Sequence, residues 1–500
     1  MPVRLINFVI ALCVVLIPAI SLLRGLIGAE HLLNSVLLAG GLVGTTLVMT
    51  HRLHLLLITA TLALSVSMPT FVTSRPMPLA IPLAFILLGG GVIRMLMGKQ
   101  ATSPTNRTVD VAVGVGSVAT IAWLLIAPPG MASAGSDTGG AWEAVFALAG
   151  ISAYWGARSL RDTEISWASV VKTGLLMAPI GFLLTVLFVL LDEGDWMYGI
   201  AKCFFEHGWF FYGLIFGVLI KVRRDQRRQI ITPQILVLCA ALTVHAVISG
   251  TRSRIAYAPV MIGTCLWIAK MRIRMLFGVI AFIVVCFILA NSDSYYNVTP
   301  RGQRVLSVLR RDPTTFSDAN LGELGRTSPW RKAVWSTGWE KVREKPWVGY
   351  GYRISAMDLA DITSALGYHD AIQRGIMVAG QFHNLVLNQM YFWGIPASLI
   401  FAIGWLASVV ILFKQTCRAT GSFGALCVGF MVLFIGVSGQ LIVNGTGDNF
   451  LTLCILMGCV QAFSTRDDTG ELVNENHPQH QDAIAEYPGV QEPAQGEVAL

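Results

Sequence analysis

The sequence predicts an all-α protein, a polytopic transmembrane helix bundle of 12–14 spans with one long, largely helical external loop. Three observations predict this class. Hydrophobic residues make up 54% of the 500 residues, and charged residues only 13%. Apolar stretches long enough to cross about 30 Å of hydrocarbon recur along most of the chain. One long segment of mixed polarity, residues 291–383, interrupts them. This composition excludes a collagen-like, disulfide-stapled or wholly disordered chain.

The candidate spans number fourteen, and we expect twelve to fourteen true crossings because several early stretches are short or joined by tight turns. They divide the chain into N-terminal helices at 1–230, a core at 231–463 that contains the long loop, and a disordered acidic tail at 464–500. The apolar stretches cover residues 5–23, 31–50, 53–70, 79–97, 109–127, 141–157, 168–191, 206–220, 231–249, 255–269, 275–290, 384–412, 424–443 and 446–463.

The basic residues of the short connections predict the orientation of the spans, because cytoplasmic loops carry an excess of Lys and Arg. Three connections are basic, those that begin at Lys221, at Lys270 and at Lys414. With these inside, both termini are cytoplasmic and the long loop is outside. That loop holds twelve basic and nine acidic residues. Loops beyond about 60 residues translocate largely regardless of charge, so its positive balance is compatible with an external position.

Ionisable residues are nearly absent from the middle of the predicted spans, and His245 is the nearest exception. An ion-coupled carrier usually keeps such groups at mid-depth, so this distribution disfavours a pump. The net charge of +7 is too small to indicate nucleic-acid binding, and we expect no nucleic-acid partner. The polar residues gather at the outer surface, where the lipid bilayer ends.

Two arginines, Arg252 and Arg254, follow span 231–249 in an external turn with the sequence TRSR. One interpretation is that they anchor the helix end among lipid head groups. The other is an anion clamp, because a guanidinium stays charged and grips a phosphate with a planar fork.

A helix is predicted within the long loop, from Ser328 as its N-cap to Lys345, with Pro346 as the stop. Its predicted face has an apolar, tryptophan-bearing character suited to the membrane interface; its members are Arg331, Trp335, Trp339 and Val342. The alternative is that this face packs on the bundle and Arg331 pairs with an acid such as Glu323.

Two further features follow this helix. A turn with the sequence PWVGYGY begins at Pro346, and its GYG is too weak a signal by itself to indicate a selectivity filter. His383 and Asn384 then stand where the loop enters span 384–412. Such a histidine is either a hydrogen-bonded structural residue or a general base, and its predicted depth matches that of the arginines.

The order of these parts resembles the O-antigen ligase and O-antigen polymerase superfamily of bacterial envelope glycosyltransferases. The resemblance covers roughly residues 230–445 and rests on the TRSR turn, the long loop with Arg331 four residues before Trp335, Pro346 and GYG, and His383-Asn384 before Gly394. It implies transfer of a glycan from undecaprenyl pyrophosphate to an acceptor hydroxyl at the periplasmic face of the inner membrane, with neither a metal nor a cofactor. The acceptor would be a lipid A core sugar, a lipid-linked repeat or another hydroxyl.

The resemblance also assigns roles to residues. It implies catalytic roles for Arg252, Arg331 and His383, and substrate binding by Arg254, Arg326, Trp335 and Asn384. Arg254 competes with Arg252 for the first role, and Arg326 competes with Arg331 for the second. The chemistry suits these residue types, because fixed cations stabilise a departing pyrophosphate and a neutral imidazole can accept the proton of the attacking hydroxyl. Attack opposite the pyrophosphate would invert the anomeric carbon.

Two other functions remain open from the sequence. The first is a metal-dependent lipid-linked glycosyltransferase, for which Asp192, Glu193 and Asp195 form an acidic cluster in an outer loop. The second is a lipid-linked oligosaccharide flippase or a polysaccharide export channel, which would need no general base. The spacing of the motifs does not separate a ligase from a polymerase.

Overall fold

A computed structural model of the chain describes residues 67–68, 77–78, parts of 80–91, 106–126, 140–160, 165–175, 208–225, 252–268, 272–292, 334–352, 382, 384–444, 447–464 and 466. Most of the predicted early spans, span 231–249 and nearly all of the predicted acidic tail lie outside the described residues.

The described residues are overwhelmingly helical, which confirms the predicted fold class. The helices are α1 Arg107–Ile126, α2 Gly140–Arg158, α3 Gly208–Asp225, α4 Arg252–Ile268, α5 Arg272–Asn291, α6 Leu385–Trp393, α7 Ile395–Arg418, α8 Gly421–Asn444 and α9 Gly447–Phe463. Residues 167–175 and 334–344 are also helical.

One short hairpin departs from the predicted spans. Strand β1, Ser67–Met68, pairs in antiparallel register with β2, Met77–Pro78. Residues 67 and 68 of the predicted span 53–70 are therefore extended rather than helical. Proline explains the difference, because the residue before a proline is pushed out of the α region, and both Met68 and Met77 precede one.

Three described helices are long and apolar enough to cross a membrane: α1, α7 and residues 421–439 of α8, with mean hydropathies of 2.0, 2.3 and 2.0. Helices α4, α5 and α9 contain shorter apolar runs. Large apolar side chains of α5 point away from the protein, such as Phe277 and Ile288, which are 67% and 58% exposed. Such a surface is compatible with lipid and unfavourable in water. The described helices are thus those of a membrane protein.

Small residues bring the helices of the core into close contact. Helix α3 presents Gly213 and Gly217 to α8, where Ala425 and Gly429 face them. Similar contacts join α2 to α9 and α1 to α7. Interfaces of this kind are typical of membrane bundles, where close backbone approach replaces a hydrophobic driving force between helices.

Polar contacts tie the helices together at one end of the bundle. Arg158 at the end of α2 donates two hydrogen bonds, of 2.8 and 2.9 Å, to the carboxylate of Asp110 in α1. Tyr154 donates to the same carboxylate at 2.6 Å. Gln461 of α9 accepts from the backbone N–H of Asn106 and donates to its carbonyl.

Lys221 belongs to the same end. The sequence places it in a basic connection, yet it is almost fully buried, 1% exposed. Its ammonium group donates to the carbonyls of Thr416 and Ala419 at 2.7 Å each. These carbonyls lie at the C-terminal end of α7, where helix carbonyls need donors from outside the helix and a positive charge is favourable. Two of the three connections predicted to be cytoplasmic are therefore in direct contact.

Candidate functional site

The opposite end of the bundle carries the predicted site elements. Trp123 near the end of α1 donates its indole N–H to the carbonyl of Val348 at 2.9 Å. Asp110 and Trp123 are thirteen residues apart on α1, about 20 Å along the helix axis. The long loop thus reaches the bundle at the end remote from Lys221 and Arg158.

Helix 334–344, here called the loop helix, packs against the protein. Its residues Val334, Gly338 and Val342 are all buried. A Cβ on Gly338 would lie 2.8 Å from side-chain carbons of Phe382 and Leu387. The buried face differs from the predicted one: Val342 belongs to it, but Trp339 is 40% exposed. The glycine at 338 lets the loop helix approach α6 closely on its buried side. Of the two alternatives drawn from the sequence, packing on the bundle therefore describes the loop helix better than a purely interfacial position.

Trp335 lies beside that face and is fixed by one strong contact. Its indole N–H donates to the carbonyl of Phe382 at 2.9 Å. The backbone N–H of Phe382 donates in turn to the side-chain oxygen of Asn388, also at 2.9 Å. Phe382, the residue directly before the predicted base, is therefore hydrogen-bonded both to the loop helix and to α6.

Asn384 is the N-cap of α6. Its backbone is extended, with φ −147° and ψ 110°, and its side-chain oxygen accepts a hydrogen bond from the N–H of Leu387 at 3.1 Å. This satisfies one of the free N–H groups of the first turn. The helix therefore begins where the sequence predicts that the loop ends.

Trp335 and Asn384 line one cavity of about 280 Å³, together with Val386, Leu387 and Met390. Its walls are mostly apolar, with the indole and the amide as the polar groups. Two residues predicted to bind substrate are thus brought together from separate parts of the chain. The cavity adjoins Asn384, the residue after position 383, and Trp335, which is bonded to Phe382.

The segment that begins at Pro346, here called the 346–352 loop or the clip, is hydrogen-bonded to the end of α6 and the start of α7. The N–H groups of Tyr350 and Gly351 donate to the carbonyls of Tyr391 and Phe392 at 2.7 and 3.1 Å. The N–H of Ile395 donates to the carbonyl of Pro346 at 2.7 Å. The residues of the GYG sequence therefore bind the end of α6 through their backbone N–H groups.

Gly394 breaks the predicted span 384–412 into two helices. Its φ of 81° and ψ of 168° lie in a region that is essentially restricted to glycine. Helix α6 ends before it, and α7 begins after it with Pro396 in its first turn and continues to Arg418. The single continuous span was wrong, because a hydropathy window does not register one glycine between two apolar runs. His383 therefore precedes a nine-residue helix rather than the span itself.

A buried hydrogen-bond network joins the 346–352 loop to α6 and α1. The hydroxyl of Tyr352 accepts the indole N–H of Trp393 at 2.8 Å and lies 3.2 Å from the hydroxyl of Thr120. Tyr352 and Thr120 are almost fully buried. The loop, the end of α6 and α1 are joined at this point.

The loop helix ends in a cluster of charges at the protein surface. Lys341 donates to Glu344 at 2.8 Å, and this hydrogen bond, aided by one from Tyr350, holds the pKa of Glu344 below its usual value. Burial and the contact with Glu344 raise the pKa of the Tyr350 hydroxyl. Tyr350 is thus a neutral donor at physiological pH, and it ties the helix end to the 346–352 loop.

The predicted arginines are placed only in part. Arg252 and Arg254 lie in the first turn of α4, which begins at Arg252; the sequence placed both in a turn and the helix at 255. The side chains of both lie outside the described residues, as do Arg326, Arg331 and His383. The convergence of the guanidinium groups and the imidazole therefore stays a prediction. The acidic cluster at 192–195 is also outside, and the described residues hold no group of three or more potential metal ligands.

An apolar groove that the sequence does not locate runs along α4. It has a volume of about 440 Å³. Val260, Gly263, Thr264 and Trp267 line it from α4, and α5 and α7 contribute Val279 and Phe413. The α4 residues recur at intervals of three and four, so they form one stripe of the helix.

These features define a helical membrane protein in which the loop helix and the 346–352 loop are bonded to α6 beside a mostly apolar cavity. A family model described as O-antigen ligase matches residues 235–402. The matched residues include α4, α5, the loop helix, the 346–352 loop and α6. This match supports the resemblance to the O-antigen ligase and polymerase superfamily that the order of the motifs indicates. No curated protein matches the chain.

Proposed function

We propose that the protein transfers a glycan from an undecaprenyl-pyrophosphate carrier to an acceptor hydroxyl at the periplasmic face of the inner membrane. The observation that carries the proposal is the cavity between Trp335 and Asn384, which adjoins position 383 within the matched domain. An indole face and an amide suit a sugar ring, which has apolar C–H faces and hydroxyl edges. The cytoplasmic position of both termini is part of the same proposal, and the hydrogen bond from Lys221 to Thr416 supports placing these two basic connections on one side of the membrane.

The chemistry assigns one task to each predicted residue. The acceptor hydroxyl attacks the anomeric carbon of the donor sugar while the bond from that carbon to the pyrophosphate oxygen breaks. His383 takes the hydroxyl proton as a general base. Arg331 and Arg252 stabilise the negative charge that grows on the departing undecaprenyl pyrophosphate. Because attack and departure occur on opposite faces, the configuration of the anomeric carbon inverts, and the residues need no metal for any of these steps.

His383→Ala and Arg331→Ala should each lower glycan transfer by about a hundredfold or more, because a general base alone contributes roughly 10²–10⁴ in rate. The measurement is the rate of glycan transfer in membranes that contain each variant. The donor added to these membranes is lipid-linked glycan extracted from the strain that encodes the protein. Arg343→Ala is the matched control, since Arg343 is exposed on the same loop helix and lies over the ring of Trp339; it should leave transfer unchanged.

Two outcomes would contradict this proposal. Normal glycan joining by the inserted His383→Ala variant would favour a flippase or channel. Transfer that is lost with a chelator and restored by magnesium or manganese would favour the metal-dependent alternative.

The groove on α4 supports a choice between the two arginines. The polyprenyl chain of the donor needs an apolar path, and this groove lies on the helix whose first turn holds both residues. At 100° per residue, Arg252 lies about 70° around the helix from the centre of the groove stripe, and Arg254 about 130°. We therefore assign the contact with a pyrophosphate whose lipid follows the groove to Arg252 rather than to Arg254.

We expect Arg252→Ala to reduce transfer at least tenfold more than Arg254→Ala, because a lost charge-assisted contact to phosphate costs about 1.5–3 kcal/mol. Initial rates at several donor concentrations measure this difference, and equal insertion of both variants is the control. A larger loss in Arg254→Ala would reverse the assignment.

A further inference from the structure

The 346–352 loop carries the most exposed tryptophan of the described residues. Trp347 is 77% exposed, and Val348 beside it is 60% exposed. The backbone of both residues is nevertheless held by the bundle. The carbonyl of Val348 accepts the indole N–H of Trp123, and the carbonyl of Trp347 lies against Gly394. Two large apolar side chains are therefore held in place while the protein leaves them largely uncovered.

Helix α1 gives the depth of these two side chains in the membrane. It has 20 residues, so it is about 30 Å long, which is the thickness of the hydrocarbon core. Trp123, which is bonded to Val348, lies about 4.5 Å along the axis from the end of α1. Leu125 and Ile126, at the same end, are 79% and 74% exposed, as expected of side chains that face lipid. The 346–352 loop therefore lies where the hydrocarbon meets the head groups.

Basic side chains stand beside aromatic rings in the same segment. The guanidinium carbon of Arg343 lies 5.6 Å from the ring centroid of Trp339. The ammonium nitrogen of Lys345 lies 4.4 Å from the ring centroid of Tyr350. Both cations are exposed. Aromatic rings at head-group depth are typical of membrane proteins, and neighbouring Lys and Arg extend their charges toward the phosphates.

The charges of this segment leave a small positive excess. Lys341 and Glu344 pair with each other at 2.8 Å. Of the other charged residues between 339 and 348, Arg343 and Lys345 are basic and Glu340 is acidic. This balance suits a surface of phosphate groups.

We propose that Trp347 and Val348 insert into the head-group region of the bilayer at this end of the bundle, and that phospholipids are the partner of this surface. Water is the poorer partner, because it would surround two large apolar side chains that the backbone holds in place. The buried face of the loop helix still packs on α6, so the segment is attached to the protein and to the lipid at once. The proposal does not depend on the proposed function.

Trp347→Cys labelled with bimane tests this insertion in full-length protein reconstituted into vesicles of phosphatidylcholine and phosphatidylglycerol. Leu125→Cys, labelled in the same way, is the lipid-facing reference. The parent protein treated with the dye gives the background from its own cysteines, of which those described are buried except Cys417. Phospholipid brominated in the acyl chain near the head group should quench the dye at position 347 at least about half as strongly as at position 125.

Weak quenching by the brominated lipid overturns the proposal, and iodide in the buffer then identifies the true neighbour. Strong quenching by iodide would show that position 347 faces water. Quenching by neither reagent would show that a protein, such as a second copy of this chain, covers the surface. Because the Trp347 side chain is largely exposed, Trp347→Cys should unfold at the midpoint of the parent. If its midpoint is lower, Val348→Cys provides the same measurement.

Discussion

Gly394→Ala should abolish glycan transfer and lower stability by about 3 kcal/mol or more, since a backbone conformation restricted to glycine costs about 1–3 kcal/mol for other residues and a steric clash adds to it. A Cβ at this position would collide with the carbonyl of Trp347 and lie 2.8 Å from the nitrogen of Val348. Relief requires the 346–352 loop to leave α6, which breaks the hydrogen bond from Ile395 to Pro346. Thermal unfolding of the purified variant and its transfer rate measure the two effects.

Gly421→Ala is the control for that substitution. Gly421 also has a positive φ, 53°, but a Cβ there would meet nothing within 4 Å. It lies at the start of α8, at the end remote from the cavity. We expect a smaller loss of stability and normal transfer. If Gly394→Ala were as active and as stable as Gly421→Ala, the clip would have no role in holding the site.

Gly217→Leu should prevent accumulation of folded protein. A Cβ on Gly217 would collide with the carbonyl of Ala425 and lie 2.8 Å from its Cα. The obstacle is backbone, so no side-chain rotation can relieve it, and α3 must separate from α8 along a shared interface. Overpacking against side chains alone typically costs about 1–3 kcal/mol, and a backbone obstacle should exceed that. The yield of monodisperse protein after solubilisation in mild detergent measures the loss.

Gly114→Ala provides the comparison for helix glycines. Gly114 lies within α1, and nothing approaches its Cβ position within 4 Å. Alanine has the higher helix propensity, by about 1 kcal/mol, so the variant should be as stable as the parent or slightly more so. Equal yields from Gly217→Leu and Gly114→Ala would contradict close packing of α3 on α8.

The sequence predicts the helices well where one physical signal decides. Apolar runs of spanning length locate α1, α7 and α8, and the asparagine before an apolar run locates the start of α6 at Leu385. The sequence does not reveal the break between α6 and α7 at Gly394, because mean hydropathy is averaged over a window much longer than one residue. The Gly-Ile-Pro sequence at 394–396 is a local signal that could have indicated it, since proline is favoured in the first turn of a helix.

The arrangement of the site is harder to predict because it depends on contacts between distant segments. That Trp335 faces a cavity with Asn384 follows from its hydrogen bond to Phe382, 47 residues away. The buried face of the loop helix was misassigned because tryptophans dominate a hydrophobic pattern, whereas Gly338 decides which side can approach α6.

The clip has a consequence for how ligands are chosen. Backbone hydrogen bonds join the 346–352 loop to α6, and the indole of Trp335 is bonded to Phe382, so the loop helix and α6, which line the cavity, are held to each other at two points. A ligand that pushed the loop helix away from α6 would have to break these bonds. We therefore expect the cavity to be largely formed before a ligand binds, which would make recognition closer to lock-and-key than to induced fit.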